Sequence, residues 1–246
     1  MIRVRIEAAQ GSTPREAGAA MTVTADATQG SIGGGALEYM AIDRARQMLV
    51  HGEARARMDV PLGPEIGQCC GGRVTLSLAA VQAMPPEPPR PDVLIFGAGH
   101  VGRALARALA LLPLAPLLID SRAGELARAP GLSARLTPLP EAEIRAARPG
   151  SAVVIVTHDH ALDFLLAAEA LARDDLPYIG MIGSATKRAQ FTRFARARGL
   201  DPARLICPIG AGGPPDKRPE VIAAMTAAEI IATLTISCPK AYPCDI

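Results

Sequence analysis

The sharpest chemical signal in the chain is a set of glycines, Gly97, Gly99 and Gly102, spaced G-x-G-x-x-G. A short apolar run, Val93 to Phe96, leads into them, and an Ala/Leu-rich helical stretch follows. A second apolar run, Leu117 to Ile119, then ends in Asp120. Strand, glycine turn, helix, strand and acid, in that order, make up a dinucleotide-binding unit. The glycines permit a tight bend, close approach of backbone to phosphate, and close helix–strand packing. Asp120 stands at the distance where such units hold a ribose diol. His100 lies inside the turn, either facing a ligand or standing in water at the helix start.

Other groupings could also do chemistry. Cys69-Cys70 is bracketed by Gly67, Gly71 and Gly72. Adjacent cysteines do not reach disulfide geometry easily, so the pair reads as thiols. A thiolate there suits a soft metal or a carried sulfur atom; the bland alternative is two small buried residues at a strand start. Gly33, Gly34 and Gly35 open a helix and read as an anion-binding turn. Gly183-Ser184 ends another predicted strand, with Lys187 and Arg188 one turn into the next helix. These two cations either add charge to a phosphate site or belong with Arg193 and Arg196 to a solvated face. His158 and His160 flank Asp159, a spacing conceivable for metal, but the better reading is a strand-end loop with Asp159 capping the next helix.

These residues need elements to hold them. In the first part, strands are expected at Ile2 to Ile6, Met21 to Thr24, Arg55 to Val60 and Val74 to Val81, with one helix from about Ala36 to His51. That is a small α+β unit over 1–81. Residues 82–91, QAMPPEPPRP, are too proline-rich for a helix or central strand and form an extended spacer. Beyond it, over 92–246, strand and helix alternate. Further strands are expected at Val153 to Thr157, Tyr178 to Ile182 and Leu205 to Ile209, and helices at Leu162 to Arg173, Thr186 to Arg198 and Arg218 to Ile236. Repeated βα units imply an α/β fold with a parallel Rossmann-type sheet covered on both faces. Ligands bind outside the carboxyl ends of such strands, where the candidate residues fall.

Composition narrows the function. With 26 basic and 24 acidic residues, net charge is +2, and no basic stripe is interleaved with aromatics, so nucleic acid is not an expected partner. The start lacks a signal pattern, and the greasiest stretch, Ala108 to Ile119, is broken by Pro113 and Pro116. The expectation is a cytoplasmic protein with no membrane segment. Five cysteines without a C-x-x-C pair fit reduced thiols rather than a disulfide or structural zinc framework.

Several stretches together resemble one family: GSTPREAGAAM (Gly11 to Met21), GSIGGGALE (Gly30 to Glu38), GQCCGG (Gly67 to Gly72), FGAGHVG (Phe96 to Gly102), THDH (Thr157 to His160), YIGMIGS (Tyr178 to Ser184) and KRPEVIAAMTAAEI (Lys217 to Ile230). In this order they are similar to the xanthine dehydrogenase accessory proteins of the XdhC/CoxI family, across nearly the whole chain. The resemblance implies a chaperone rather than a turnover enzyme. Such a protein holds the molybdenum cofactor (molybdopterin) while its sulfido ligand is installed, then passes it to a xanthine dehydrogenase-type molybdenum hydroxylase. A cysteine desulfurase and a molybdenum-loading protein are the implied partners. The phosphate end of the cofactor suits the glycine turn, and Cys69 and Cys70 suit its molybdenum. Relatives often carry Cys or His where this chain has Ala36, and the loop Gly210 to Pro215 is unusual. Two other readings stay open: an NAD(P)-dependent oxidoreductase built on the glycine turn, and a sulfurtransferase using Cys69 or Cys70. A homodimer through an aliphatic helix such as Val221 to Leu234 is a further expectation.

Overall fold

The computed structural model describes residues 1–64, 71–84 and 89–237. Cys69, Cys70, Cys238 and Cys244 lie outside the described residues. The chain divides into two compact units that part within the proline-rich stretch.

In the first unit, β1 (Ile2–Gln10) alternates buried Ile2, Val4 and Ile6 with arginines on the other face. It pairs antiparallel with β2 (Ala20–Val23) and with β5 (Arg73–Ala80). With β3 (Thr28–Gly30) and β4 (Arg55–Pro61) they form a sheet in the order β3-β2-β1-β5-β4. Strand β3 was not expected, since its three residues are all exposed and carry no apolar alternation. Helix α1 (Gly35–His51) buries Leu37, Ala41, Ala45 and Met48 along one face. These residues join the sheet's inner positions in one core. The helix stops at Gly52, whose left-handed backbone lets its N–H return to the Met48 carbonyl.

The second unit runs β6 (Asp92–Phe96), α2 (His100–Ala110), β7 (Ala115–Asp120), α3 (Ala123–Leu126), β8 (Ala134–Leu136), α4 (Pro140–Arg145), β9 (Ala152–Ile155), α5 (His160–Leu171), β10 (Tyr178–Met181), α6 (Ala185–Arg196), β11 (Leu205–Ile206) and α7 (Pro219–Ser237). Its sheet is parallel throughout, in the order β11-β10-β9-β6-β7-β8. Strands β9 and β10 are buried at every position, because helices cover both faces. On one face Leu105, Leu109, Ala227, Ile230 and Leu234 from α2 and α7 pack on Val93, Ile95 and Val154. On the other, Leu166, Ala170, Phe191 and Ala195 from α5 and α6 pack on Leu94, Phe96 and Val153. Each fully buried aliphatic side chain contributes roughly 1.5–3 kcal/mol.

One expectation changes here. Strand β11 ends at Ile206 rather than Ile209, since Pro208 has no N–H for a ladder. Helix α7 buries Ala223, Ala227, Ile230 and Leu234 within its own unit and leaves Val221, Ile222 and Ile231 half-buried. Among the described residues, no helix is long and apolar enough to cross a membrane.

Candidate functional site

The strand order reverses between β6 and β9, whose following segments leave in opposite directions. A crevice opens there, outside the carboxyl ends of the strands. The three glycines of the turn are glycine for different reasons. Gly97 has φ +114°, and a Cβ on it would lie 2.4 Å from the Val156 carbonyl oxygen. A Cβ on Gly102 would lie 1.9 Å from the Gly97 oxygen, so α2 meets the turn only because that atom is missing. Gly99 has an ordinary φ of −68°, and a Cβ there would meet no protein atom within 4 Å. Neither backbone nor packing requires glycine at 99, and the space beside it is open cleft. Gly99 is also the N-cap of α2, and no side chain caps that end. The first-turn amides, beginning with His100, are therefore placed to bind an anion.

The cleft has a volume of about 480 Å³ and is bounded by Gly99, His100, Arg122, Arg128, Thr157 and His158, with Ile182 and Pro219 on the β10 side. His100 and His158 are both exposed at its edge. Asp120 is nearby, but its carboxylate is already committed. It accepts from the Ala98 N–H at 2.7 Å, from the Arg122 N–H and Nε at 2.9 Å each, and from Arg122 Nη2 at 2.8 Å. Burial pushes this carboxyl up, but the Arg122 guanidinium and the two backbone N–H groups outweigh that and hold it below its ordinary value. The structure thus corrects the expectation of a free ribose acceptor: Asp120 braces the turn. Arg103, not foreseen from the sequence, braces it from the other side. This buried arginine donates to the Ala98 carbonyl and to Glu125 Oε2 at 2.8 Å. Its only sequence signal was a cation on the helix immediately after the last glycine.

The Gly183-Ser184 end of β10 is used internally. Ser184 caps α6 by accepting from the Lys187 N–H at 3.3 Å. A Cβ on Gly183 would press on Lys187 Cδ at 2.9 Å and Cys207 Sγ at 3.1 Å. Lys187 is neither a phosphate cation nor part of a solvated face. It is buried, forms an ion pair with Asp163, and donates to the Ile182 carbonyl at 3.0 Å. Asp163 is fully buried and accepts the Thr157 hydroxyl at 2.6 Å. The pair thereby fixes the loop where Thr157 and His158 meet the cleft. Asp159 caps α5, accepting from the Ala161 N–H at 2.8 Å. Arg188 is exposed. Burial pushes the Cys207 thiol up, against the pull of Lys187 and Arg188.

In the first unit, the turn at Gly33, Gly34 and Gly35 already holds an anion, the chain's own Glu38. Its Oε2 accepts from the Ser31 hydroxyl at 2.7 Å and from the Ile32 and Gly34 N–H groups at 3.0 Å each. Burial raises this carboxyl, but those donors lower it further, leaving it below its ordinary value. The reading of an open phosphate turn is corrected accordingly. Gly33 is also required by packing, since a Cβ there would fall 2.6 Å from Pro14 Cβ. The thiols Cys69 and Cys70 fall outside the described residues. Among the described residues, no group of three or more His, Cys, Asp or Glu side chains could hold a metal.

A dinucleotide-type Rossmann unit with an uncapped glycine turn, joined to a small antiparallel-sheet unit, defines the class. The pattern of the XdhC Rossmann domain matches residues 93–230, and that of the XdhC and CoxI family matches residues 1–60. The chain belongs to the XdhC/CoxI family. It is 32% identical over 215 residues to the uncharacterized protein YqeB of Escherichia coli (strain K12), covering 82% of this chain and 38% of that protein. The chain thus spans little more than a third of that relative's length. A crystal structure of a Bacillus halodurans protein described as a xanthine dehydrogenase superposes with a TM-score of 0.81. The superposition covers 98% of this chain and 94% of that one, at 18% identity, and establishes a shared fold.

Proposed function

We propose that this chain is an accessory protein for a xanthine dehydrogenase-type molybdenum hydroxylase, and that it binds the molybdenum cofactor and hands it on. Membership of the XdhC/CoxI family supports an accessory role, as does the fold shared with a protein described as a xanthine dehydrogenase. The observation that carries the binding part is Gly99. Its bare face and the uncapped start of α2 border one open cleft. A phosphate ester, such as the one that terminates the pterin, is the group those amides would bind. Cys69 and Cys70 are the proposed soft ligands for the molybdenum end. A cysteine desulfurase as sulfur donor and a molybdenum-loading protein as cofactor donor complete the proposal. Within this reading the molybdenum cofactor is cargo, and the chain's residues bind and release it. Titration of the purified protein with released molybdenum cofactor tests it, with Gly99→Val as the variant that closes the cleft.

A further inference from the structure

Asp120 and Arg122 stand together at the end of β7, with Arg122 in the wall of the Rossmann cleft. In a site for an unmodified ribose, the acid ending the second strand accepts from the ribose hydroxyls. Here both oxygens of Asp120 are occupied. Oδ1 takes the Arg122 N–H and Nε, while Oδ2 takes the Ala98 N–H and Arg122 Nη2. A diol would have to displace a two-pronged, charge-assisted contact to reach it. The guanidinium that closes off the acid is itself part of the cleft wall, with its side chain 37% exposed. Only Nε and Nη2 of that guanidinium are engaged by Asp120, so donors remain for a second anion. Arg128, 67% exposed, lines the same wall and shares Glu125 with Arg103. Arg122, Arg128 and Glu125 are in this wall, and buried Arg103 and Asp120 pair with Glu125 and Arg122 behind it, so the arginines outnumber the carboxylates by one. The α2 amides and the open face of Gly99 border the same cleft.

We infer that this cleft binds a dinucleotide phosphorylated on its adenosine ribose, the NADP(H) class, and disfavours NAD(H). The ribose phosphate lies on Arg122 and Arg128, where a planar guanidinium matches phosphate oxygens, and the pyrophosphate lies on the first turn of α2. The inference does not rest on the accessory role. It gives the cleft a second ligand, one that competes with a pterin phosphate for the same amides.

The test uses the full chain without pterin cofactor. Because the protein has no Trp, the fluorescence of bound NADPH or NADH reports binding directly. NADPH is expected to bind roughly 10- to 100-fold tighter than NADH, the scale of a charge-assisted contact, with the preference shrinking as salt rises. Arg122→Ala removes the phosphate contact and frees Asp120, so the preference should fall to parity or reverse. Arg128→Ala alters an exposed side chain and keeps the test decisive even if the Arg122 variant folds poorly. It should weaken NADPH and leave NADH unchanged. Equal or tighter binding of NADH, no saturable binding of either nucleotide, or an NADPH affinity untouched by the Arg128 substitution would overturn the inference. Such a failure is separate from that of the accessory role, because the pterin cofactor is absent from the assay.

Discussion

The carboxylate of Asp120 accepts the backbone N–H of Ala98, 22 residues earlier in the chain, at 2.7 Å. The acid at the end of β7 thereby holds the glycine turn that follows β6. It titrates below its ordinary value near 3.8 because the donors outweigh the cost of burial. A carboxyl lowered on folding adds stability that is complete above its unfolded value and is lost as pH falls through the lower folded value. Asp120→Asn should cost about 1–3 kcal/mol at pH 7 and flatten part of the acid-side decline. Urea unfolding of both proteins at pH 7 and near pH 3 checks this. Equal spacing between the two curves at both pH values would remove Asp120 from the account.

Gly99 and Gly102 should separate binding from folding. Gly99→Val places a side chain in open cleft on an ordinary backbone, so ligand binding should be lost with little change in Tm. Gly102→Ala drives a methyl against the Gly97 oxygen and should destabilise by about 1–3 kcal/mol or more. Thermal melts beside binding curves distinguish the two.

The Lys187–Asp163 pair should show the signature of a buried ion pair. Asp163→Ala leaves an ammonium uncompensated in the core and should cost about 3–5 kcal/mol. Replacing both partners, as Asp163→Leu with Lys187→Met, should recover much of that loss in denaturant unfolding.

Glu38→Ala should loosen the turn at Gly33 to Gly35 by stranding the Ser31, Ile32 and Gly34 donors. The expected cost is about 1–3 kcal/mol. Glu38→Gln keeps a carbonyl acceptor and should cost less, which hydrogen exchange at Ile32 and Gly34 would resolve residue by residue.

The sequence revealed the parallel α/β unit because its signals are local. Apolar runs, glycine spacing and proline position each act within a few residues, and the capping role of Asp159 was legible for the same reason. The employment of the polar residues was not. Lys187 meets a partner 24 residues away, and Asp120 meets Ala98 across two strands. Nothing in the local pattern distinguishes an arginine that closes an acid, like Arg122, from one in water. Glu38 was read only as part of a family motif, although its reach back to Ser31 fills the turn that looked open. Edge strands β3 and β8 escaped because each is only three residues long and exposed throughout, too short for a pattern to stand out.

In the proposed accessory role, the chain binds the molybdenum cofactor through the glycine turn of its Rossmann unit. Equilibrium titration of wild type and Gly99→Val with released molybdenum cofactor, under exclusion of oxygen, tests it most directly. The account predicts saturable binding by wild type and a loss of at least about tenfold, some 1.4 kcal/mol, in the variant. Absence of binding by wild type, or equal binding by the two proteins, would contradict it.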